Sequence, residues 1–117
     1  VLMNMNKLAP NANSAPTNYT ILRIDNGSYG SKGNKKTFTN ERTSLKDVAI
    51  GAGCNNVIEC SGEETNENLK KALDDKNNSY VIISKIKSGN VPIKPIPLNA
   101  VTIRDRFRKE IGLVNYL

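Results

Sequence analysis

The chain has no histidine and no tryptophan, and it carries only two cysteines, two phenylalanines and four tyrosines. The missing histidine excludes Ser-His, Cys-His and His-ligated metal chemistry from these 117 residues. Any imidazole that a reaction needs must come from another chain. Cys54 and Cys60 stand six positions apart, which matches neither a zinc nor a redox spacing. They read as small buried or half-buried residues of a reducing cytoplasm. No run approaches the roughly 18 apolar residues that a membrane helix needs. No basic segment followed by a long apolar one opens the sequence, so no secretory leader is expected. A cytoplasmic, membrane-free protein is the expectation.

The hydrophobic fraction is low at 38%, yet the apolar residues come in clear blocks, which is not the pattern of a disordered chain. The length suits one domain able to bury a core without disulfides. Seventeen Lys and Arg face eleven Asp and Glu, for a net charge of +6. The basic residues cluster at Lys32–Lys36 and Arg104–Lys109, but no aromatic residues interleave with them as a base-stacking platform would require. This charge reads as solvated surface, and no nucleic-acid partner is expected.

Strand and helix signals alternate. Residues 1–8 can open a helix that Pro10 should end or kink, and Asn11–Asn18 reads as a loop. Tyr19–Asp25 is rich in β-branched and apolar residues and predicts a strand. A Gly-, Ser-, Lys- and Thr-rich stretch, Asn26–Asn40, follows as a long loop. Loops of that length in small domains are usually functional. Ser44, with Asp47 three residues on, opens a short helix carrying Leu45, Val48, Ala49 and Ala52, and Gly53 stops it. Asn56–Cys60 predicts a strand. Ser61 and Glu64 open a helix with Leu69, Ala72 and Leu73 on one face, and Ser79–Ile86 predicts a third strand. After an extended, proline-rich Asn90–Pro97, a last helix starts at Pro97 and Asn99. Its expected apolar contacts are Val101, Ile103, Phe107 and Ile111. Alternation of this kind predicts an α/β fold, a parallel sheet with helices on both faces and right-handed crossovers. In such sheets ligands bind beyond the carboxyl ends of the strands.

The stretch Ile24-Asp25-Asn26-Gly27-Ser28-Tyr29-Gly30-Ser31-Lys32-Gly33-Asn34 lies at such an end. Three glycines within seven residues let backbone N–H groups approach a phosphate closely. The Asn26 amide oxygen is a hard donor that suits Mg²⁺. The spacing is neither a dinucleotide fingerprint nor a Walker loop, and an ordinary long turn is the plain alternative.

Asp25–Asn34 resembles the loop with which thiamine-pyrophosphate enzymes complete their Mg²⁺ and diphosphate site. The resemblance extends over residues 1–112, leaving 113–117 as a tail. It takes in the opening Val1-Leu2-Met3-Asn4, the helix ending at Gly53-Cys54, the strand Tyr80–Lys85, the segment Pro92–Pro97 and the closing Ile103-Arg104-Asp105-Arg106-Phe107. Within that family the pattern is similar to the decarboxylases of sulfopyruvate and phosphonopyruvate, in the diphosphate-binding part. The resemblance implies Mg²⁺ ligation by the Asn26 side chain and the Ser28 carbonyl, with Gly27, Ser28, Tyr29 and Gly30 flanking the diphosphate. It implies thiamine pyrophosphate and Mg²⁺ as cofactors and a small anionic 2-oxo acid as substrate. It also implies a partner, the pyrimidine-binding (alpha) subunit or domain, in a hetero-oligomer. Sulfopyruvate as substrate would give sulfoacetaldehyde and place the reaction in coenzyme M synthesis.

No catalytic residue is assigned to this chain. None of Glu41, Glu59, Glu63, Glu64, Glu67 and Glu110 has the setting of the glutamate that activates the aminopyrimidine ring, which the family supplies from the partner. Three departures stand out. The family's Gly-Asp-Gly, whose Asp is a Mg²⁺ ligand, is absent, and the strand that would carry it is absent too, so exposed apolar edges are expected. Pro10 interrupts a segment that is helical in the family. Lys32 and Lys35 stand where Thr and Gln are usual. The rival readings are a phosphonopyruvate decarboxylase, an acetolactate-synthase-like subunit, and a degenerate binding module that holds no cofactor.

Overall fold

The computed structural model describes residues 6–89, 91–96 and 99–113. Its nine elements in chain order are α1 (Leu8–Ser14), β1 (Thr20–Asp25), β2 (Ser28–Tyr29), β3 (Lys35–Lys36), α2 (Leu45–Gly51), β4 (Val57–Ser61), α3 (Thr65–Asp74), β5 (Tyr80–Lys85) and α4 (Ala100–Glu110). Single 3₁₀ turns lie at Gly30–Lys32 and Phe38–Asn40.

The sheet is parallel, in the order β1-β5-β4. Its last strand in sequence therefore lies in the middle, and four consecutive residues of that strand, Val81 to Ser84, are buried. A continuous apolar run is what a strand covered on both faces requires. Side chains alternate between the faces. Val81 and Ile83 point to one face, where Leu8 of α1 and Leu45 and Ala49 of α2 close a cluster with Cys54. Ile82 points to the other, against Cys60 and Ala72 of α3, with Ile58, Leu69 and Tyr80 around them. The α/β fold with helices on both faces is thus as the alternation predicts.

Local chemistry explains the helix starts. The Ser44 hydroxyl accepts from the Asp47 N–H at 3.1 Å. The Glu64 carboxylate accepts from both the N–H and the hydroxyl of Ser61 at 2.9 Å, and the Glu64 N–H returns to the Ser61 hydroxyl at 3.4 Å. These bonds hold donors that a helix start leaves unsatisfied.

Two of the larger expectations fail, and with the first goes the reading of Asn11–Asn18 as a loop, since Asn11–Ser14 is helical. Pro10 does not end the first helix; it lies inside α1, at its third residue. The first backbone N–H groups of a helix have no intrahelical acceptor, so a proline there removes no bond. The helix instead ends at Ala15 (φ 41°), whose N–H reaches the Asn11 carbonyl at 3.0 Å. The part of this prediction resting on residues 1–5 lies outside the described residues, as do Asn90, Pro97 and most of the 113–117 tail.

The second failure is α4. Its start is as expected, with the Asn99 side chain accepting from the N–H groups of Val101 and Thr102. But none of its residues is buried, and Val101, Ile103, Phe107 and Ile111 are all exposed. Val91, Ile93 and Ile96 of the preceding segment are exposed too. A radius of gyration of 18.1 Å, against about 13 Å for a compact chain of this length, reflects this arm. Leu73 is likewise half open rather than packed. On β1, Leu22 and Ile24 are exposed, and β5 is the only strand that pairs with it among the described residues.

Candidate functional site

The carboxyl ends of β1, β5 and β4 fall level, with Asp25 opposite Lys85 and Ser61 opposite Lys85 on the other side. The chain leaves this edge at Asn26. The next fifteen residues are less irregular than their composition suggests. β2 and β3 pair antiparallel through Ser28–Lys36 and Tyr29–Lys35, and the Thr37 N–H donates to the Gly27 carbonyl at 3.0 Å. Gly33 (φ 71°) and Asn34 (φ 53°) make the tip.

The turn out of β1 is built from two consecutive side-chain acceptors. The Asp25 carboxylate accepts from the Gly27 N–H at 3.0 Å, and the Asn26 amide oxygen from the Ser28 N–H at 3.2 Å. Asn and Asp favour this geometry, taking N–H groups two residues on. Gly27 has φ 63°, and a Cβ there would lie 3.2 Å from Asn40. Side chains rarely adopt that backbone region, so the position calls for glycine on two counts.

Asp25 is the anchor. Its side chain is 8% exposed, and it accepts from the Lys85 ammonium at 2.5 Å, from the Thr39 hydroxyl at 2.9 Å and from Gly27. Thr39 has spent its one proton on Asp25, so Thr37 must donate in the 2.7 Å contact between the two hydroxyls. Burial pushes the Asp25 carboxyl up. The bonds from Lys85, Gly27 and Thr39, with the Lys85 charge, outweigh burial and hold it below the usual aspartate value. Lys85 also lies 3.5 Å from the Thr39 carbonyl. Further along, the Ser28 and Ser88 hydroxyls meet at 2.7 Å.

The residues expected to form the site are therefore contiguous and at the expected end of the sheet. Asn26, Gly27 and Ser28 are half-buried, Tyr29 is exposed and Gly30 opens the first 3₁₀ turn. The donors present suit Mg²⁺ in kind: an amide oxygen and backbone carbonyls, all hard oxygens. The amide oxygen of Asn26 uses one lone pair on Ser28 and has a second to offer. No group of three or more His, Cys, Asp or Glu able to hold a metal occurs among the described residues. By the chemistry of their donors these residues could hold one side of a Mg²⁺ site.

Sequence reasoning did not find the Asp25, Thr39, Lys85 and Ser88 set. Part of the signal was present, since one predicted strand ends in Asp25 and another, Ser79–Ile86, carries Lys85 next to its end, but strand register is not visible in a sequence. Cys54 and Cys60 are buried and unpaired, as expected, and burial pushes the Cys54 thiol up. No described helix is long and apolar enough to cross a membrane.

No protein-family model matches the chain, and no solved structure does. Curated proteins do. The chain is 35% identical, over 95% of its length, to the sulfopyruvate decarboxylase subunit beta of Methanocaldococcus jannaschii. It is 32% identical over 95% of its length to the protein of the same name from Methanococcus maripaludis. It is 28% identical over 99% of its length to the sulfopyruvate decarboxylase of Methanosarcina acetivorans. The chain spans 58% and 59% of the two beta subunits and 30% of the third protein. The resemblance read from the Asn26 loop and the flanking elements thus extends along nearly the whole chain, to proteins carrying the sulfopyruvate decarboxylase name.

Proposed function

We propose that this chain supplies the diphosphate and Mg²⁺ side of the site of a thiamine-pyrophosphate-dependent decarboxylase that turns sulfopyruvate into sulfoacetaldehyde, in coenzyme M synthesis. The observation that carries the reading is the Asn26–Gly30 turn at the carboxyl end of a parallel sheet, in a chain similar over 95% of its length to sulfopyruvate decarboxylase beta subunits. When bound, the cofactor supplies the electron sink that lets carbon dioxide leave. This chain's share is to bind and orient. The Asn26 amide oxygen and the Ser28 carbonyl would hold the metal. The freedom of Gly27 and Gly30 lets backbone come close to the diphosphate. Residues 1–112 would form part of the diphosphate-binding domain. The name "subunit beta" of the relatives supports a hetero-oligomer with a pyrimidine-binding alpha subunit, which would bring the activating glutamate.

The test is Asn26→Ala in the assembled enzyme. Loss of a metal ligand should weaken thiamine pyrophosphate binding at limiting Mg²⁺ by about tenfold or more. Unchanged affinity would remove Asn26 from the metal site. The purified chain alone, with Mg²⁺ and cofactor, should show no turnover. Assays with sulfopyruvate, phosphonopyruvate and pyruvate side by side separate this enzyme from its phosphonopyruvate and acetolactate-type rivals. A second reading, a binding module without cofactor, is favoured by one observation: Asn26 already has a partner in the Ser28 N–H. Absence of Mg²⁺-dependent cofactor binding by the assembly would decide for it.

A further inference from the structure

The Asn26 turn does not stand on its own bonds. Among the described residues, the ties that reach it from outside its own loop come from β5 or the residues just after it. Lys85 ends β5 and reaches across to the Asp25 carboxylate. That carboxylate takes the Gly27 N–H on one oxygen, and with it the Thr39 hydroxyl. Thr39 lies at the far end of the same loop, so Asp25 and Lys85 join the loop's exit to its entry. The Ile86 N–H donates to the Asp25 carbonyl at 2.9 Å, and Ser88 meets Ser28 hydroxyl to hydroxyl. Asn26 and Ser28 are thereby bracketed: Asp25 is clamped before them, and Thr37 and Thr39 return behind them.

We propose that Lys85 is a positioning residue for the Asn26 site: its ammonium neutralises and orients the Asp25 carboxylate, which sets the Gly27 N–H and so the placement of Asn26 and Ser28. The inference rests on the reading of that turn as a metal and diphosphate site. The Lys85 ammonium bonds to Asp25 and lies against the Thr39 carbonyl, and neither is a position assigned to the ligand. Its effect passes through Asp25, a buried carboxylate. Without a cation opposite it, Asp25 would lose its only ion pair in the described structure. A buried carboxylate left without its cation is costly where it stands, and its rearrangement shifts the turn that Asp25 caps. Groups that orient metal ligands through a second layer commonly cost ten- to a hundredfold in affinity when removed.

The experiment compares Lys85→Met and Lys85→Arg with the parent in the assembled enzyme, by two independent readouts. Amide hydrogen exchange, without cofactor, follows Gly27, Ser28 and Thr37 against β4 and α3 as internal controls. Lys85→Met should speed exchange at the loop amides about tenfold or more and leave the controls unchanged, and Lys85→Arg should restore protection. Thiamine pyrophosphate titrations at limiting Mg²⁺ should show about tenfold weaker binding for Lys85→Met, recovered in Lys85→Arg. Loop exchange unchanged in Lys85→Met, or faster in the controls to the same degree, overturns the proposal. So does altered exchange with unaltered cofactor affinity in an assembly that binds cofactor. If the parent binds no cofactor, the functional reading of the turn fails by itself, and the proposal falls with it even where exchange shows Lys85 holding the loop.

Discussion

The sheet body and the C-terminal arm carry similar apolar signals and end in opposite states. In β5, Ile82 and Ile83 are at 0% and 1% exposure, with helices on both sides. In α4, Ile103 and Phe107 recur at helical spacing and remain 42% and 65% exposed. A periodic apolar pattern states which face of an element would be buried. It does not state that a surface is there to bury it. β5 sits between two strands, α2 and α3, so its pattern finds its complement within the chain. α4 follows an extended segment and finds none among the described residues.

Truncation in each region puts this contrast to the test with the largest expected effect. Ile82→Ala removes a fully buried branched side chain from the central strand and should cost about 2–5 kcal/mol of stability. Phe107→Ala, at an exposed site, should stay within about 0.5 kcal/mol. Urea midpoints of the two variants measure the difference. A Phe107→Ala shift as large as that of Ile82→Ala would mean that α4 packs in solution, and the contrast would break.

Helix caps sharpen the same comparison at lower energy. Ser44→Ala removes the acceptor for Asp47 at the start of α2, which is docked on the core through Leu45 and Ala49. It should lower global stability by about 1 kcal/mol. Asn99→Ala removes the acceptor for two N–H groups at the start of α4. Because none of the α4 residues is buried, its loss should appear as reduced helical signal in far-ultraviolet circular dichroism with an unmoved unfolding midpoint. A lowered midpoint would show that α4 and the sheet unfold together.

What the sequence made legible follows the same line. Strands, helix starts and the α/β class were readable because each depends on neighbours in sequence: β-branched runs, Ser44 and Asp47, Ser61 and Glu64, Asn99. The site loop was readable as a place, since Asn26 and Gly27 follow a strand. What could not be read depends on register or on depth. Asp25 meets Lys85 only because β1 pairs with β5 in step, and sixty residues separate them in sequence. Thr39 joins them because the loop folds back through β2 and β3. Pro10 was misread because its effect turns on where the helix starts, and a shift of a few residues reverses it. The exposure of α4 was beyond reach for the reason already given: amphipathicity marks a face and not its neighbour.

The smallest expected effect lies in the turn between α3 and β5, where the body again has what the arm lacks. Asp75 accepts from the Asn78 amide at 2.8 Å, the Asn77 N–H at 2.9 Å and the Tyr80 hydroxyl at 2.8 Å. Those bonds, with Asn78 first, hold its carboxyl below the usual aspartate value, and the same contact pushes the Tyr80 phenol up. A carboxylate whose pKa is depressed on folding adds stability that is complete above its unfolded pKa. That stability fades as the pH falls through the folded value. Asp75→Asn should therefore be less stable than the parent at neutral pH, and the two curves should converge as the pH drops below the ordinary aspartate range. The other acids cancel in the difference, Asp25 included, because both proteins carry them. In the arm, Asp105 pairs with Arg104 at an exposed position, where ion pairs add little. Asp105→Asn should leave the stability at neutral pH close to that of the parent. A loss of stability at neutral pH for Asp105→Asn as large as that for Asp75→Asn would place α4 in a protected setting, and the arm would then share the folded state of the sheet.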